Sequence, residues 1–198
     1  MKKLILASAS DRRKRILEMC GIVFEVVTSG AIEETNGGKH VSDLVRLNAA
    51  RKAEDVARAR PGSVVLGADT LVAHGDDILG KPPDENTARQ MLKRFSGSEI
   101  EVYTGLSLID TATARGAEAV EVSELYVAPL TEEEVERIFP LMGPYDKAGG
   151  FTMEGPGAMI FDDIHGSYFN ILGLPVTRLR KMFAEIGLDI LDFVKGYK

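Results

Sequence analysis

Val64-Val-Leu-Gly-Ala-Asp-Thr-Leu-Val72, followed shortly by Gly80-Lys-Pro82, sets the terms for the whole chain. Ser63 to Leu66 is a short apolar, β-branched run bounded by Pro61-Gly62, which reads as a buried strand. Gly67 and Ala68 keep side-chain bulk low where Asp69 and Thr70 appear. An Asp alone at a strand end is often a turn former or a helix cap. A carboxylate and a hydroxyl together at the end of a buried strand are poorly explained by packing. Leu71 to Ala73 resumes the apolar run, Gly75 to Asp77 makes a hairpin turn, and Ile78-Leu79 leads back to Gly80-Lys81. The hairpin is therefore expected to return Lys81 toward Asp69.

Gly75 to Lys81 has the glycine and lysine spacing of a phosphate-binding P-loop, but Pro82 stands where the motif needs Ser or Thr. Proline offers neither a hydroxyl for a metal nor a backbone N–H, and Asp76 and Asp77 would put negative charge inside a phosphate cradle. The P-loop reading fails.

The chain upstream and downstream fits around this hairpin. Leu4 to Ala7 is an apolar burst of strand length, followed at once by Ser8-Ala-Ser-Asp-Arg-Arg13. Ser8, Ser10 and Asp11 are good N-cap residues, and Ile16, Leu17 and Cys20 recur at helical spacing. The Ser/Arg cluster thus sits at a strand-to-helix junction, where free N–H groups and the helix dipole favour an anion. Arg12 and Arg13 add fork-shaped donors suited to phosphate. Ile22 to Val27 reads as a second strand, and Ser29 to His40 as a loop carrying Glu33 and Glu34. A helix is expected from about Ser42 to Arg60, with Leu44, Val45, Leu47, Ala49, Ala53, Val56 and Ala57 buried. Asn48, Arg51 and Lys52 interrupt that stripe. Small neighbours let the Lys52 stem cross a core, although a solvated helix face is the plainer reading.

Further on, Asp84 to Phe95 reads as an amphipathic helix, and Glu101 to Asp110 and Ala119 to Ala128 as two long strands. Thr131 to Glu134 forms a capping box. Met142 to Gly150 is a glycine-rich loop with Asp146 and Lys147, Ala158 to Phe161 reads as a strand, and Ile164 to Asn170 as a polar turn. A last helix follows Gly173-Leu-Pro175. Alternating strands and helices followed by a long hairpin predict an α/β fold, a mixed twisted sheet with flanking helices.

The 198 residues are read as one domain, 1–198, with an ordinary apolar share of 44%. A net charge of −6 argues against generic attraction to nucleic acid or to an anionic membrane. Cys20 is the only cysteine, which excludes an internal disulfide and suits a reducing cytoplasm. Leu4 to Ala7 is too short for a signal-peptide core or a membrane span.

Polar insertions therefore gather at junctions and glycine loops: Ser8, Arg12 and Arg13; Glu33 and Glu34; Lys52; Asp69 and Thr70; Lys81; Asp146 and Lys147. Cations that neutralise phosphate oxygens, with carboxylates that bind a divalent metal or orient water, point to phosphoester or phosphoanhydride hydrolysis. His40, His74 and His165 share no ligand spacing, so a zinc site is not indicated. No Gly-x-Ser-x-Gly supports a Ser8, His165 and Asp69 triad.

Leu6-Ala-Ser-Ala-Ser-Asp-Arg-Arg13, Gly67-Ala-Asp-Thr70, Gly80-Lys-Pro82, Tyr103-Thr-Gly105, Asp146-Lys-Ala-Gly149 and Gly173-Leu-Pro175 resemble, in this order, blocks of the Maf family of nucleoside triphosphate pyrophosphatases. The resemblance covers about residues 4 to 183, with Asp11 standing where the family usually has Pro. It implies a two-lobed fold of the inosine-triphosphate-pyrophosphatase type with a cleft between lobes, a divalent cation such as Mg²⁺ or Mn²⁺, and a homodimer. It implies hydrolysis of a nucleoside triphosphate to the monophosphate and pyrophosphate. Asp69 would be the base toward the attacking water or a metal ligand, with Glu34 joining the metal. Ser8, Arg13, Lys52 and Lys81 would hold phosphate oxygens. Arg12, Thr70 and Glu154 align with positions that separate substrate branches: Arg12 and Thr70 resemble the dTTP/UTP branch, Glu154 the 7-methyl-GTP branch. The family's association with septum formation leaves a nucleotide-sensing regulator of division as the alternative. A haloacid-dehalogenase phosphatase would need Asp where Leu71 stands.

Overall fold

The computed structural model describes residues 2–35 and 39–196. The part of the Ser29–His40 loop at 36–38 lies outside the described residues. The strands are β1 (Lys3–Leu6), β2 (Phe24–Val26), β3 (Ser63–His74), β4 (Asp77–Leu79), β5 (Glu99–Asp110), β6 (Arg115–Val127) and β7 (Phe161–His165). The helices are α1 (Asp11–Met19), α2 (Val41–Ala57), α3 (Glu85–Phe95), α4 (Glu132–Met142), α5 (Tyr168–Ile171) and α6 (Val176–Glu185). The strands form one mixed sheet in the order β2-β1-β3-β5-β6-β7, with β4 paired to β3. β1 is parallel to both β2 and β3, whereas β4 runs antiparallel to β3 and β7 antiparallel to β6. Parallel neighbours need crossovers, and α1 and α2 supply them.

The chain folds as two compact units. The first comprises Met1–Asp69, Thr104–Glu121 and Gly173–Lys198, and the second Thr70–Tyr103 and Val122–Leu172.

In the first unit, α2 carries the structure that matters for function. Ala53 and Val56 pack on Ile5, Ala7 and Val65, giving the helix an apolar seat on β1 and β3. The backbone comes closer than side chains would normally allow. A Cβ at Gly67 would run into the Ala49 carbonyl and the Ala53 N, and one at Gly105 into the Val45 carbonyl. Both glycines are therefore spacers of zero thickness between sheet and helix. In the same unit, α1 is capped by Ser10, whose side chain accepts from the Arg13 N–H, and it buries Arg13, Ile16 and Leu17.

In the second unit, the β3–β4 hairpin is as the sequence predicts, with Val72 opposite Leu79 and His74 opposite Asp77. Its core is aromatic. Phe95 meets His74 and Phe151 edge-on, and Phe151 meets Phe161 in the same way. The capping box at Thr131 and Glu134 is present. Buried Asn170 donates from Nδ2 to the Val102 carbonyl and to Ser123 Oγ, both at 2.9 Å.

Several sequence expectations need correction. Asp69 is not at a strand end: β3 continues through it to His74, because Gly67 and Ala68 stay extended under α2. The expected strand at Ala158–Phe161 is a 3₁₀ segment, Gly155–Ile160, and β7 starts only at Phe161. Pro156 in its first turn and Gly155 at φ +60° favour the tight turn over a ladder. The expected second strand shrinks to Phe24–Val26, leaving Ile22 in a lone bridge to Val194. The turn at Ile164–Asn170 instead ends β7 and opens α5.

The close seat of α2 predicts that Gly67→Ala lowers stability by ~2–4 kcal/mol, since the added methyl meets backbone that cannot rotate away. Urea unfolding of wild type and variant measures it, and an unchanged midpoint would show that α2 can lift off β3 freely.

Candidate active site

Asp69 projects from the middle of β3 and is 6% exposed, facing α2. Its Oδ1 accepts from Lys52 Nζ at 2.8 Å, and its Oδ2 accepts from Asn48 Nδ2 at 2.9 Å. Asn48 and Lys52 are one helical turn apart on α2, so both point the same way. The plainer reading of Lys52 as a solvated residue is overturned: it is 9% exposed, on the face that seats α2. Its ammonium spends all three donors, on Asp69, on Glu33 Oε1 at 2.6 Å and on the Ala68 carbonyl at 3.4 Å. Burying such a charge demands complete pairing, and the site supplies it.

Arg13 arrives from α1. Its Nε donates to the Gly173 carbonyl at 2.8 Å and its Nη1 to Ser8 Oγ at 3.1 Å, while the Ser10 N–H donates to the same Ser8 oxygen at 3.3 Å. Burial pushes the Arg13 guanidinium below its usual value, the charges of Asp69 and Glu33 oppose that, and Arg12 adds to the lowering. Arginine remains cationic at neutral pH all the same.

The acidic loop lies along α2 and runs against the helix direction. Asp55 holds its start, accepting from Ser29 Oγ and from the Gly30 N–H, both at 2.8 Å. Arg51 donates to the Ile32 carbonyl at 3.4 Å. Lys52 takes Glu33, and Asn48 takes the Glu34 backbone. Anchors at 55, 51, 52 and 48 lie along one helix face. The Ser29 hydroxyl, with the Gly30 N–H, holds the Asp55 carboxyl below its usual range. A lowered folded value means this tether is in place above the ordinary carboxylate range and fails only as pH falls through the lowered one.

The structure thus brings Ser8, Arg13, Lys52 and Asp69 into one cluster of the first unit, with Glu33 and Glu34 on the adjoining loop. Arg12 stands beside Arg13 and is partly buried. Thr70, Lys81 and Glu154 belong to the second unit. Thr70 is partly buried on β3, Lys81 is exposed just past β4, and Glu154 is exposed before the 3₁₀ segment. Lys147 is buried there. Glu34, expected as the metal carboxylate, faces Arg51 at 3.7 Å, and Glu33 is the residue that shares Lys52 with Asp69. Sequence reading gives Asn48 no role. The available signal is an amide on the buried stripe of an amphipathic helix, one turn before a lysine.

Among the described residues no three His, Cys, Asp or Glu side chains gather into a cage for a metal ion. Asp69, Glu33 and Glu34 nonetheless suit a hard dication that takes one or two carboxylates and draws its other ligands from phosphate and water.

The Lys52–Asp69 pair predicts a stability test. Lys52→Met should cost ~3–5 kcal/mol, because it strands the buried Asp69 carboxylate, and Lys52→Met combined with Asp69→Leu should recover most of that loss. Equal losses in the single and double variants, measured by urea unfolding, would mean that the loss does not come from a stranded Asp69 carboxylate.

Comparison with known proteins gives the family of the chain. The family model described as Maf-like protein matches residues 3–186. A protein of Bacillus cereus named dTTP/UTP pyrophosphatase is 41% identical over 96% of this chain and 93% of its own length. One of the same name from Desulforamulus reducens is 39% identical over 96% of this chain and all of its own. Among solved structures, a HAM1 protein from Coxiella burnetii superposes with a TM-score of 0.52 over 93% of this chain and 100% of its own, at 13% identity, a likeness of fold alone. The match of nearly the whole chain, together with relatives of about this identity, places the protein in the Maf family.

Proposed function

We propose that this protein hydrolyses nucleoside triphosphates to the monophosphate and pyrophosphate, with dTTP and UTP as its substrates. The observation that carries the reading is Asp69, a buried carboxylate held at both oxygens by Lys52 and Asn48 on a rigid strand. The names of the relatives point to the same substrates. Bracing of this kind also serves structure alone, as at buried Asp110 with Lys2 and Thr113, but Asp69 has Ser8, Arg13 and two glutamates in the same unit, a setting in which a water can be held against phosphorus.

Each oxygen of Asp69 keeps acceptor capacity beyond its bond to Lys52 or Asn48. That capacity holds a water, whose oxygen attacks the α-phosphorus while Asp69 takes up its proton. The bond from the α-phosphorus to the bridging oxygen breaks, and pyrophosphate leaves with the electron pair. Ser8 and Arg13, at the junction of β1 and α1, hold phosphate oxygens and stabilise the charge that develops on the leaving group. Lys81 adds a further phosphate contact.

Charge balance supports a divalent cation. Lys52 and Arg13 are already matched by Asp69 and Glu33, so a triphosphate brings uncompensated negative charge. Asp69 and Glu34 would hold Mg²⁺ or Mn²⁺, whose chemistry here is neutralisation of phosphate charge. We place the enzyme in a reducing cytoplasm, in keeping with its single cysteine.

The test is a purified-protein screen of dTTP, UTP and 7-methyl-GTP with Mg²⁺ or Mn²⁺, with pyrophosphate and orthophosphate measured separately. The expected product is pyrophosphate. Stoichiometric binding without pyrophosphate release would make the protein a sensor. Asp69→Asn keeps the shape, removes the charge, and should lower kcat by ~10²-fold or more. Turnover near that of the wild type would remove Asp69 from the mechanism.

Base choice turns on Glu154. Uracil and thymine present O4, N3–H and O2, an edge that a Gln amide meets by donating and accepting, whereas an ionised Glu only accepts. Guanine offers two adjacent donors, N1–H and N2–H, that match two carboxylate oxygens. Glu154→Gln should therefore raise kcat/KM for dTTP relative to 7-methyl-GTP by about tenfold. A flat ratio would show that Glu154 does not face the base.

A further inference from the structure

Asn48 is 2% exposed, and three bonds engage its side-chain amide. Oδ1 accepts from the Glu34 N–H at 2.8 Å, while Nδ2 donates to the Glu34 carbonyl at 2.9 Å and to Asp69 Oδ2 at 2.9 Å. Two of these bonds copy the way one extended backbone grips another, since both the N–H and the C=O of a single residue are taken. The third reaches the carboxylate at the centre of the site. The partners fix the orientation of the amide: an N–H can face only the oxygen, and a carbonyl and a carboxylate can face only the NH₂. No other side chain of this length offers one acceptor and two donors in a plane. Aspartate keeps the acceptor and loses both donors. Glutamine carries the group too far for a helix seated this close to β3. Alanine, the common residue of such close seats, keeps none of the bonds.

The other anchors of the loop do a narrower job. Asp55 holds only its beginning, at Ser29 and Gly30. Lys52 meets Glu33 and Asp69 through a flexible stem and a point charge, which attracts without fixing direction. Asn48 ties loop backbone and Asp69 to the same rigid planar group.

We propose that Asn48 is a positioning residue of the hydrolytic site: it locks the register of the acidic loop to Asp69, so that both carboxylate-bearing segments are in place before substrate and metal arrive. Asn48 itself touches neither. This rests on the hydrolase reading above, and it implies that Asn48 substitutions act on kcat far more than on KM.

The experiment compares wild type, Asn48→Ala and Asn48→Asp, each first shown to be folded by cooperative thermal unfolding. Two readouts are taken. One is kcat and KM for dTTP with Mg²⁺. The other is amide hydrogen exchange at Glu34 and Gly30 in protein free of metal and nucleotide. In Asn48→Ala, kcat should fall at least ~10-fold, equivalent to ~1.4 kcal/mol in the barrier, with KM changed less than ~threefold. Glu34 exchange should speed up ~10-fold or more while Gly30, held by Asp55, keeps its rate. In Asn48→Asp the surviving acceptor should keep Glu34 protected, yet kcat should stay low because Asp69 has lost its donor and gained a carboxylate neighbour.

A kcat within about twofold of wild type in either variant would overturn the proposal, as would an unchanged Glu34 exchange rate in Asn48→Ala. A loss expressed wholly in KM would do the same. If Asn48→Ala does not fold, Asn48→Asp decides alone through its split between protected amide and lost turnover. Should the wild type release no pyrophosphate, the hydrolase reading falls by itself, and the exchange rates still report whether Asn48 locks the loop.

Discussion

The absence of side chains at Gly67 and Gly105 lets α2 rest its backbone on the sheet, and the site depends on that contact. Short polar side chains cannot span an ordinary helix-to-sheet gap filled by leucines and valines. Here Asn48, with only one methylene between backbone and amide, reaches Asp69 at 2.9 Å. The apolar seat of Ala53 and Val56 on Ile5, Ala7 and Val65 holds the helix down. Burial of small residues provides the close approach, and the close approach makes a dense polar cluster tolerable in a core.

That cluster is balanced as few surface clusters are. Lys52 pairs with Asp69 and Glu33, whose charges also act on Arg13, and each donor of Lys52 has a named acceptor. Such an arrangement adds little net stability, because desolvation offsets most of the attraction. What it provides is direction. Charges fixed by mutual bonds need little reorganisation when new charge develops nearby, whereas freely solvated side chains must first be gathered. The exposed ion pairs of the chain, such as Arg46 with Asp43 on α2, have no such role and are screened by solvent.

Much of this is legible in the sequence. The hairpin of β3 and β4, the mixed sheet, the capping box at Thr131 and the strand-to-helix junction at Ser8 to Arg13 each carry a local signal, in turn residues, caps or periodicity. Asp69 and Lys52 are legible as misfits, polar groups on otherwise apolar runs, and Arg13 as part of a Ser/Arg cluster at a strand-to-helix junction. The errors have two causes. Whether a strand stops at Gly67-Ala68 or passes through depends on α2 lying across it, a contact far away in sequence. The 3₁₀ segment at Gly155–Ile160 has a local origin instead: Gly155 at φ +60° and Pro156 in the first turn override the apolar run that follows them. Asn48 has no evident role in the sequence because an amide on a buried stripe looks like a flaw in amphipathicity until its three partners are known.

The same reasoning bears on the two neighbouring glutamates. Consecutive side chains leave a backbone in different directions, so Glu33 and Glu34 cannot both turn to Lys52. Glu33 does, and Glu34 faces Arg51 instead. A slip of one residue in the loop would exchange them, and composition, charge and resemblance would all be unchanged by it. Coulomb attraction does not choose between the two, since either carboxylate satisfies an ammonium equally well. Directional bonds do choose: the Glu34 N–H and C=O are both held by one planar amide, and Gly30 is held by Asp55 at the start of the loop. The sheet and α2 supply the architecture on which the loop is mounted. The chemistry belongs to the register, which hydrogen bonds set at the resolution of a single residue.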